Sequence, residues 1–205
     1  MSVNSSSPFK KIGIFGGTFD PIHYAHLFIA EQAYAQYELD KVLFVPNATP
    51  PHKRRMKISS AELRCEMVRL AIQDNPHFEL SLIEQSRPGN SYTVDTLNQL
   101  HDHFEGCELF FISGTDAISE LATWHMPERI LHLATILVAE RRGFSYARLG
   151  EKLPAHYMAK ILRLKGERCA ISATQIRRLI KSNLPVKYLT PDPVVEYISK
   201  RGLYR

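Results

Sequence analysis

The chain predicts an α/β fold: a doubly wound parallel sheet with helices on both faces. Two observations carry this. Short, almost wholly apolar segments such as KIGIF (residues 11–15) and TILVA (residues 135–139) alternate with longer amphipathic ones along the chain, and strands that read as continuous apolar runs are strands covered on both faces. At 205 residues the chain is long enough for one well-buried domain, 1–205, and short for two.

Taken in order, residues 11–15 form a buried strand that stops at Gly16-Gly17, where a tight turn begins. A loop runs through Pro21, and Leu27, Ile29, Ala30, Ala33 and Tyr34 then place an apolar face on a helix over 24–37. The alternation repeats as strand 41–45, a loop through Pro50-Pro51, helix 60–73, strand 78–82, helix 92–104 and strand 108–112. A short helical region over 117–131 leads to a fifth strand at 135–139. Residues 146–162 read as a helix broken or begun afresh at Pro154, and 169–171 as the final strand.

The C-terminal part, 172–205, is helical, with helices over 174–182 and 191–200. Thr190 suits the N-cap of the second, Pro191 its first helical position and Gly202 its stop. Residues 1–9 are polar, lack the apolar core of a secretory signal, and read as a loose tail. The whole pattern is that of a Rossmann-like sheet, in which ligands bind beyond the carboxyl ends of the strands where the strand order reverses. Residues just after each strand are therefore the candidates for function.

Composition narrows the partners. The formal charge of +5 and pI near 9.1 suit an acidic partner, a polyphosphate nucleotide or a nucleic acid, or serve solubility alone. No stretch approaches the roughly 20 apolar residues of a membrane-spanning helix, so a soluble protein is expected. Cys65, Cys107 and Cys169 are far apart and form no C-x-x-C pair, which fits a reducing cytoplasm.

The segment GGTFDPIHYAH (residues 16–26) carries the first site. At Gly16 and Gly17 missing side chains let backbone N–H groups approach a phosphate, and the following helix presents its positive N-terminus. The dinucleotide fingerprint G-x-G-x-x-G is absent, the second strand ends in Val45-Pro46 without an acid for a ribose, and no G-x-x-x-x-G-K-[ST] occurs. His23 and His26 lie three apart and share one helix face, where imidazole donors can stabilise charge developing on a phosphoryl group. Taken alone they also suit a structural pair, or a metal site with Asp20. The combination of Gly-Gly, Thr18, Asp20-Pro21 and both histidines directly after a buried strand favours phosphate.

Near the C-terminus, Ser172, Thr174 and Arg177 follow the last predicted strand and open a helix. Hydroxyls, free N–H groups and a guanidinium there converge on one anion-binding spot, although ordinary helix capping has the same pattern.

Residues 16–26 resemble the H-x-G-H signature of the nucleotidyltransferase superfamily, with Ala25 in place of the usual glycine, and ISATQIR (residues 171–177) resembles its I-S-x-T-x-x-R signature. Two signatures in the expected order imply adenylyl or cytidylyl transfer. PNATPPHK (46–53), RPGNSYTVDTL (87–97), GTDAISELATW (114–124) and KYLTPDPVVEYISKRGLY (187–204) extend the resemblance over nearly the whole chain, and they resemble nicotinate-mononucleotide adenylyltransferase.

That resemblance implies ATP and nicotinate mononucleotide as substrates and nicotinic acid adenine dinucleotide and pyrophosphate as products, by in-line attack without a covalent intermediate. Its catalytic candidates are His23, His26, Lys53 and Arg177, the histidines on the transferring phosphoryl and the two cations on the polyphosphate. Gly16, Gly17, Thr18 and Phe19 offer backbone amides, while Ile171, Ser172, Thr174 and Arg177 hold ATP's phosphates and adenine. Gly114 and Asp116 are expected at the ATP site, where the Asp116 carboxylate, just past the fourth strand, suits the hydroxyls of a ribose. For the mononucleotide, Thr18, Phe19, Lys53, Ser91, Tyr92, Thr93, Trp124 and His125 are expected, with Trp124 stacking on the pyridine ring.

Lys53 follows a rigid Pro-Pro loop, and Arg54 and Arg55 beside it read as solvated. Residues 48–59, rich in proline and positive charge, are the candidate moving loop. Mg²⁺ is expected to arrive with ATP, since no carboxylate cluster offers a permanent metal site. The rivals are transfer to nicotinamide mononucleotide or phosphopantetheine, a nucleic-acid-binding protein, and a metal hydrolase using Asp20, His23 and His26. Neither a nucleic acid nor a membrane is an expected partner.

Overall fold

The structure is a computed structural model that describes residues 9–49, 58–87, 89–141, 143–166 and 169–205. At its centre lies a six-stranded sheet in the order β3-β2-β1-β4-β5-β6, with every neighbouring pair parallel. The strands are β1 (Lys11–Gly17), β2 (Lys41–Pro46), β3 (Phe78–Leu80), β4 (Glu108–Gly114), β5 (Ala134–Ala139) and β6 (Ile161–Arg163). This is the Rossmann-like order, and its winding reverses between β1 and β4.

Side-chain alternation explains why the strands read as unbroken apolar runs. Ile12, Ile14, Leu43, Val45, Leu109, Phe111, Ile136 and Val138 point into one core, and Phe15, Val42, Phe44, Phe110, Ile112, Leu137 and Ala139 into the other. Successive residues of a strand face opposite sides, so both sets must be apolar when both sides are covered.

Helix α3 (Thr93–His103) supplies Val94, Leu97 and Leu100 to the first core, and α5 (Pro127–Leu133), reached through the short α4 (Thr115–Ile118), adds Ile130 and Leu133. On the opposite face α1 (Tyr24–Tyr37) contributes Ala30 and Ala33, and α2 (Ala61–Ile72) contributes Met67, Val68 and Ile72. The small residues of α1 let it lie close on the sheet.

After β5 the chain departs from expectation. Residues 169–171 are irregular, and the last strand is β6, inside the stretch predicted as a helix over 146–162. Pro154 does divide that stretch, into α6 (Tyr146–Lys152) and α7 (Ala155–Met158), after which the chain enters β6 with Ile161 fully buried opposite Ile136. A three-residue edge strand with one buried side chain leaves too short a pattern to tell from a helical turn.

Two smaller corrections concern the ends. Phe9, counted with the tail, packs edge-on against Phe104 at 6.4 Å with the Lys41 ammonium 4.8 Å from its ring. Helix α8 (Ala173–Lys181) is capped by Ser172, whose hydroxyl accepts from the Gln175 N–H at 3.2 Å, the ordinary capping that the sequence pattern left open. Helix α9 (Asp192–Arg201) is not capped by Thr190: Pro191 holds that place, and the buried Thr190 hydroxyl donates instead to the carbonyl of Ile22 at 2.7 Å. Gly202 does end α9, in the left-handed region at φ 62°.

Candidate active site

The turn after β1 is shaped by a buried ring. Phe19, at φ 49°, turns its side chain in against Phe15 at 5.7 Å, Phe44 at 5.8 Å and His26 at 5.0 Å. Gly17 makes room for it, because a Cβ there would lie 2.8 Å from the Phe19 ring. The backbone of Gly16, Gly17 and Thr18 consequently borders open space.

His23 caps α1, and its backbone N–H donates to His26 Nδ1 at 3.3 Å. That bond requires Nδ1 to be unprotonated and leaves the proton of neutral His26 on Nε2. The two imidazoles stack with centroids 3.7 Å apart, but their surroundings differ. His26 lines the cavity described below. His23 is only 2% exposed, its Nδ1 lacks a hydrogen-bond partner among the described residues, and burial followed by the charge of Arg141 lowers its pKa to about 3. It is therefore a neutral imidazole at pH 7. Ala25, between them, is fully buried.

Asp20 sits at the centre of a set of clamps. Its carboxylate accepts from the Tyr204 hydroxyl at 2.6 Å and from the Ser59 N–H at 3.4 Å, and its carbonyl accepts from the Arg177 guanidinium at 2.6 Å. Both carboxylate oxygens are thus engaged with groups other than His23 and His26, and no three potential metal ligands converge among the described residues. Arg177 also donates to the Thr174 hydroxyl at 3.2 Å, so the start of α8 is fastened to the turn after β1.

A cavity of about 630 Å³ opens at the carboxyl ends of β1 and β4, on the reversal of strand order. Gly16, Gly17, Thr18, Phe19 and His26 line it from β1 and the turn that follows, and Gly114 and Asp116 from the end of β4. Ser91, Tyr92, Thr93, Trp124 and His125 line it from the start of α3 and the connection before α5. Trp124 is half-buried and stands edge-on to Phe111 at 6.1 Å, while His125 and Tyr92 pair at 4.6 Å.

Among the described residues His23, Ile171, Ser172, Thr174 and Arg177 do not line this cavity: His23 lies behind His26, and the others gather at the start of α8. Lys53 and most of the 48–59 loop lie outside the described residues.

Residues 14–179 match the cytidylyltransferase-like family model, a span that includes both the turn after β1 and the start of α8. Over 206 aligned residues the chain is 44% identical to a Desulfitobacterium hafniense protein named "Probable nicotinate-nucleotide adenylyltransferase", covering 99% of this chain and 100% of that one. A Moorella thermoacetica protein of the same name is 45% identical, over 95% of this chain and 92% of the relative. The chain belongs to the nicotinate-nucleotide adenylyltransferase family.

The same fold occurs in a Plasmodium falciparum nicotinic acid mononucleotide adenylyltransferase solved with NaAD, at a TM-score of 0.80 and 21% identity over 95% of this chain and 97% of that one. The site also holds polar residues that local sequence pattern did not single out.

Arg64 is the first. It is 1% exposed in the first turn of α2, and its guanidinium donates to the carbonyls of Asn47 at 2.7 Å, Thr18 at 2.9 Å and Ser59 at 3.0 Å. One side chain thereby ties the turn after β1 to the loop after β2. Its signal was present: Arg64 falls in register with Met67, Val68 and Ile72 on the buried stripe of the helix, where a charge demands explanation.

Glu84, buried and lining the cavity, accepts from the Thr96 hydroxyl at 2.7 Å and the Ala48 N–H at 3.3 Å. Beside it the Ser91 hydroxyl accepts from the N–H groups of Ala48 at 3.0 Å and Thr49 at 3.1 Å. Ser91 shapes the pocket by holding this loop.

Arg141, just past β5, lines the cavity with its Nε buried and unpaired among the described residues. It lies over Gly114, where an added Cβ would overlap the Asp116 carboxylate and press on Arg141 at 3.2 Å. The rule that placed Asp116, that function follows strand ends, applies equally to Arg141.

Proposed function

We propose that this chain transfers AMP from ATP to nicotinate mononucleotide, releasing pyrophosphate and forming nicotinic acid adenine dinucleotide, the adenylyl-transfer step of NAD biosynthesis. The observation that carries the reading is one cavity joining the glycine turn and His26 to an aromatic pocket formed by Trp124, Tyr92 and His125. Near-complete similarity to relatives named for that reaction supports it, as does a structural neighbour solved with the dinucleotide product.

An oxygen of the acceptor phosphate attacks the α-phosphorus of ATP, a new P–O bond forms, and the bond to the β,γ-diphosphate breaks. The acceptor phosphate is already ionised at neutral pH, so neither a nucleophilic side chain nor a strong general base is required. Positioning and charge stabilisation are the protein's contribution. Backbone N–H groups from Gly16 to Phe19 hold phosphate, the His26 Nε2–H donates to the transferring phosphoryl, and neutral His23 supports it from behind.

Arg177 and Lys53 offset charge on the polyphosphate, and Arg141 joins them from β5. Ile171, Ser172 and Thr174 hold ATP at the start of α8, and Asp116 accepts from a ribose. Thr93 and Trp124 receive the mononucleotide. Mg²⁺ comes with ATP, held by the nucleotide's own phosphate oxygens and water. The three cysteines are free thiols, and no helix among the described residues is long and apolar enough to cross a membrane; a cytoplasmic setting fits both.

Two measurements test this. Pyrophosphate release with nicotinate mononucleotide should exceed that with nicotinamide mononucleotide by roughly 10–150-fold, the worth of a charge-assisted hydrogen bond of about 1.5–3 kcal/mol. Equal use of both would make the enzyme dual-specific, and no release with either would reject the acceptor class. Trp124→Ala should raise the acceptor KM about 2- to 10-fold through lost ring stacking, with a smaller change in the KM for ATP. An unaltered acceptor KM would remove Trp124 from the pyridine site.

A further inference from the structure

We propose that Tyr204, in the turn after α9, is a positioning residue for adenylyl transfer that acts through Asp20; the inference rests on the transfer reaction argued above. The turn after β1 takes much of its support from side chains contributed by distant elements. Arg64 holds the Thr18 carbonyl at 2.9 Å, Arg177 the Asp20 carbonyl at 2.6 Å, and Thr190 the Ile22 carbonyl at 2.7 Å. The Tyr24 N–H, at the start of α1, donates to the Leu189 carbonyl at 3.1 Å.

Tyr204 completes this set. Its hydroxyl reaches the Asp20 carboxylate at 2.6 Å, across 184 residues of sequence. The backbone is arranged for that reach: Gly202 turns the chain at φ 62° and Tyr204 itself lies at φ 65°, a conformation uncommon for any residue but glycine. Burial and the neighbouring carboxylate push the Tyr204 pKa up, so its hydroxyl stays a donor across the neutral range.

Removing that hydroxyl takes from one oxygen of a buried carboxylate the partner it has among the described residues. Asp20 stands between Phe19 and the histidines, and its carbonyl anchors Arg177, so its relaxation shifts the backbone amides and His26 relative to the reacting phosphate. A displacement of order 1 Å in such groups costs up to about 10²-fold in rate. Among the described residues no hydrogen bond joins Asp20 to the acceptor pocket at α3 and Trp124, so the effect falls mainly on kcat.

The experiment is a kinetic cycle on the full chain with ATP, magnesium and nicotinate mononucleotide. Tyr204→Phe should lower kcat at least 10-fold while the acceptor KM stays within about 2-fold. Asp20→Ala should lower kcat as well, and adding Tyr204→Phe to it should lower kcat no further, because the partner is already gone. Leu203→Ala, which removes apolar packing from the same turn and spares the hydroxyl, should lower the unfolding midpoint more than Tyr204→Phe does yet keep kcat within about 2-fold.

Full kcat in Tyr204→Phe would overturn the role, as would losses that add in the double variant or merely follow the unfolding midpoint. The comparison with Leu203→Ala decides alone if Asp20→Ala does not fold. An inactive wild type would instead overturn the transfer reaction, and this role with it.

Discussion

Replacing His26 by alanine should lower kcat by roughly 10²–10³ with a much smaller change in either KM, as for removal of one preorganised donor from a developing oxyanion. The structure sharpens the reason. His26 Nδ1 accepts from the His23 N–H at 3.3 Å, which keeps the imidazole proton on Nε2 and fixes the ring beside the glycine turn. Packing against Phe15 and Phe19 limits the ring further. A donor held this way loses little freedom when charge moves onto the phosphoryl oxygens, so it contributes more in the transition state than in the ground state. Steady-state kinetics at saturating ATP and acceptor provide the check, and unchanged turnover would refute the role.

The second large effect falls on stability. Arg64→Met keeps an apolar stem of similar length in the α2 stripe but removes the donors to the carbonyls of Thr18, Asn47 and Ser59. Each buried carbonyl left unpaired costs about 1–3 kcal/mol, and removing the positive charge takes a favourable interaction away from Asp20 and Glu84. Relief of the arginine's own desolvation offsets part of this. A net loss of about 3–5 kcal/mol is expected, a large share of the roughly 5–15 kcal/mol available to a domain. Arg64→Lys should recover only part of it, because an ammonium is a point donor that cannot span three carbonyls as a planar guanidinium does. Denaturant unfolding measures both variants, and a midpoint unchanged in Arg64→Met would show that the loops hold themselves.

These two residues also divide what is legible from what is not. The glycine turn and the pair His23 and His26 could be read because their chemistry is local: a strand end, two missing side chains and a three-residue spacing. What spacing could not reveal is that the pair is unequal, His26 facing the cavity and His23 buried behind it as a neutral ring. Exposure is a property of what packs above a residue, and Arg141, whose charge contributes to His23's neutrality, comes from β5.

Of the fold, the sequence by itself determined the alternation of strands and helices and the parallel sheet, because strands covered on both faces must be apolar at every position and amphipathic helices repeat within one turn. Tertiary structure alone decided the edge and the clamps. Strand β6 exists because Ile136 offers a partner to Ile161, not because three residues carry a pattern. Thr190 has the chemistry of a cap and is spent on Ile22, 168 residues away. Ser91 has the chemistry of a ligand contact and holds the loop after β2. Hydrogen bonds between side chains and distant backbone leave no periodicity, since their partners meet only after the sheet has brought them together.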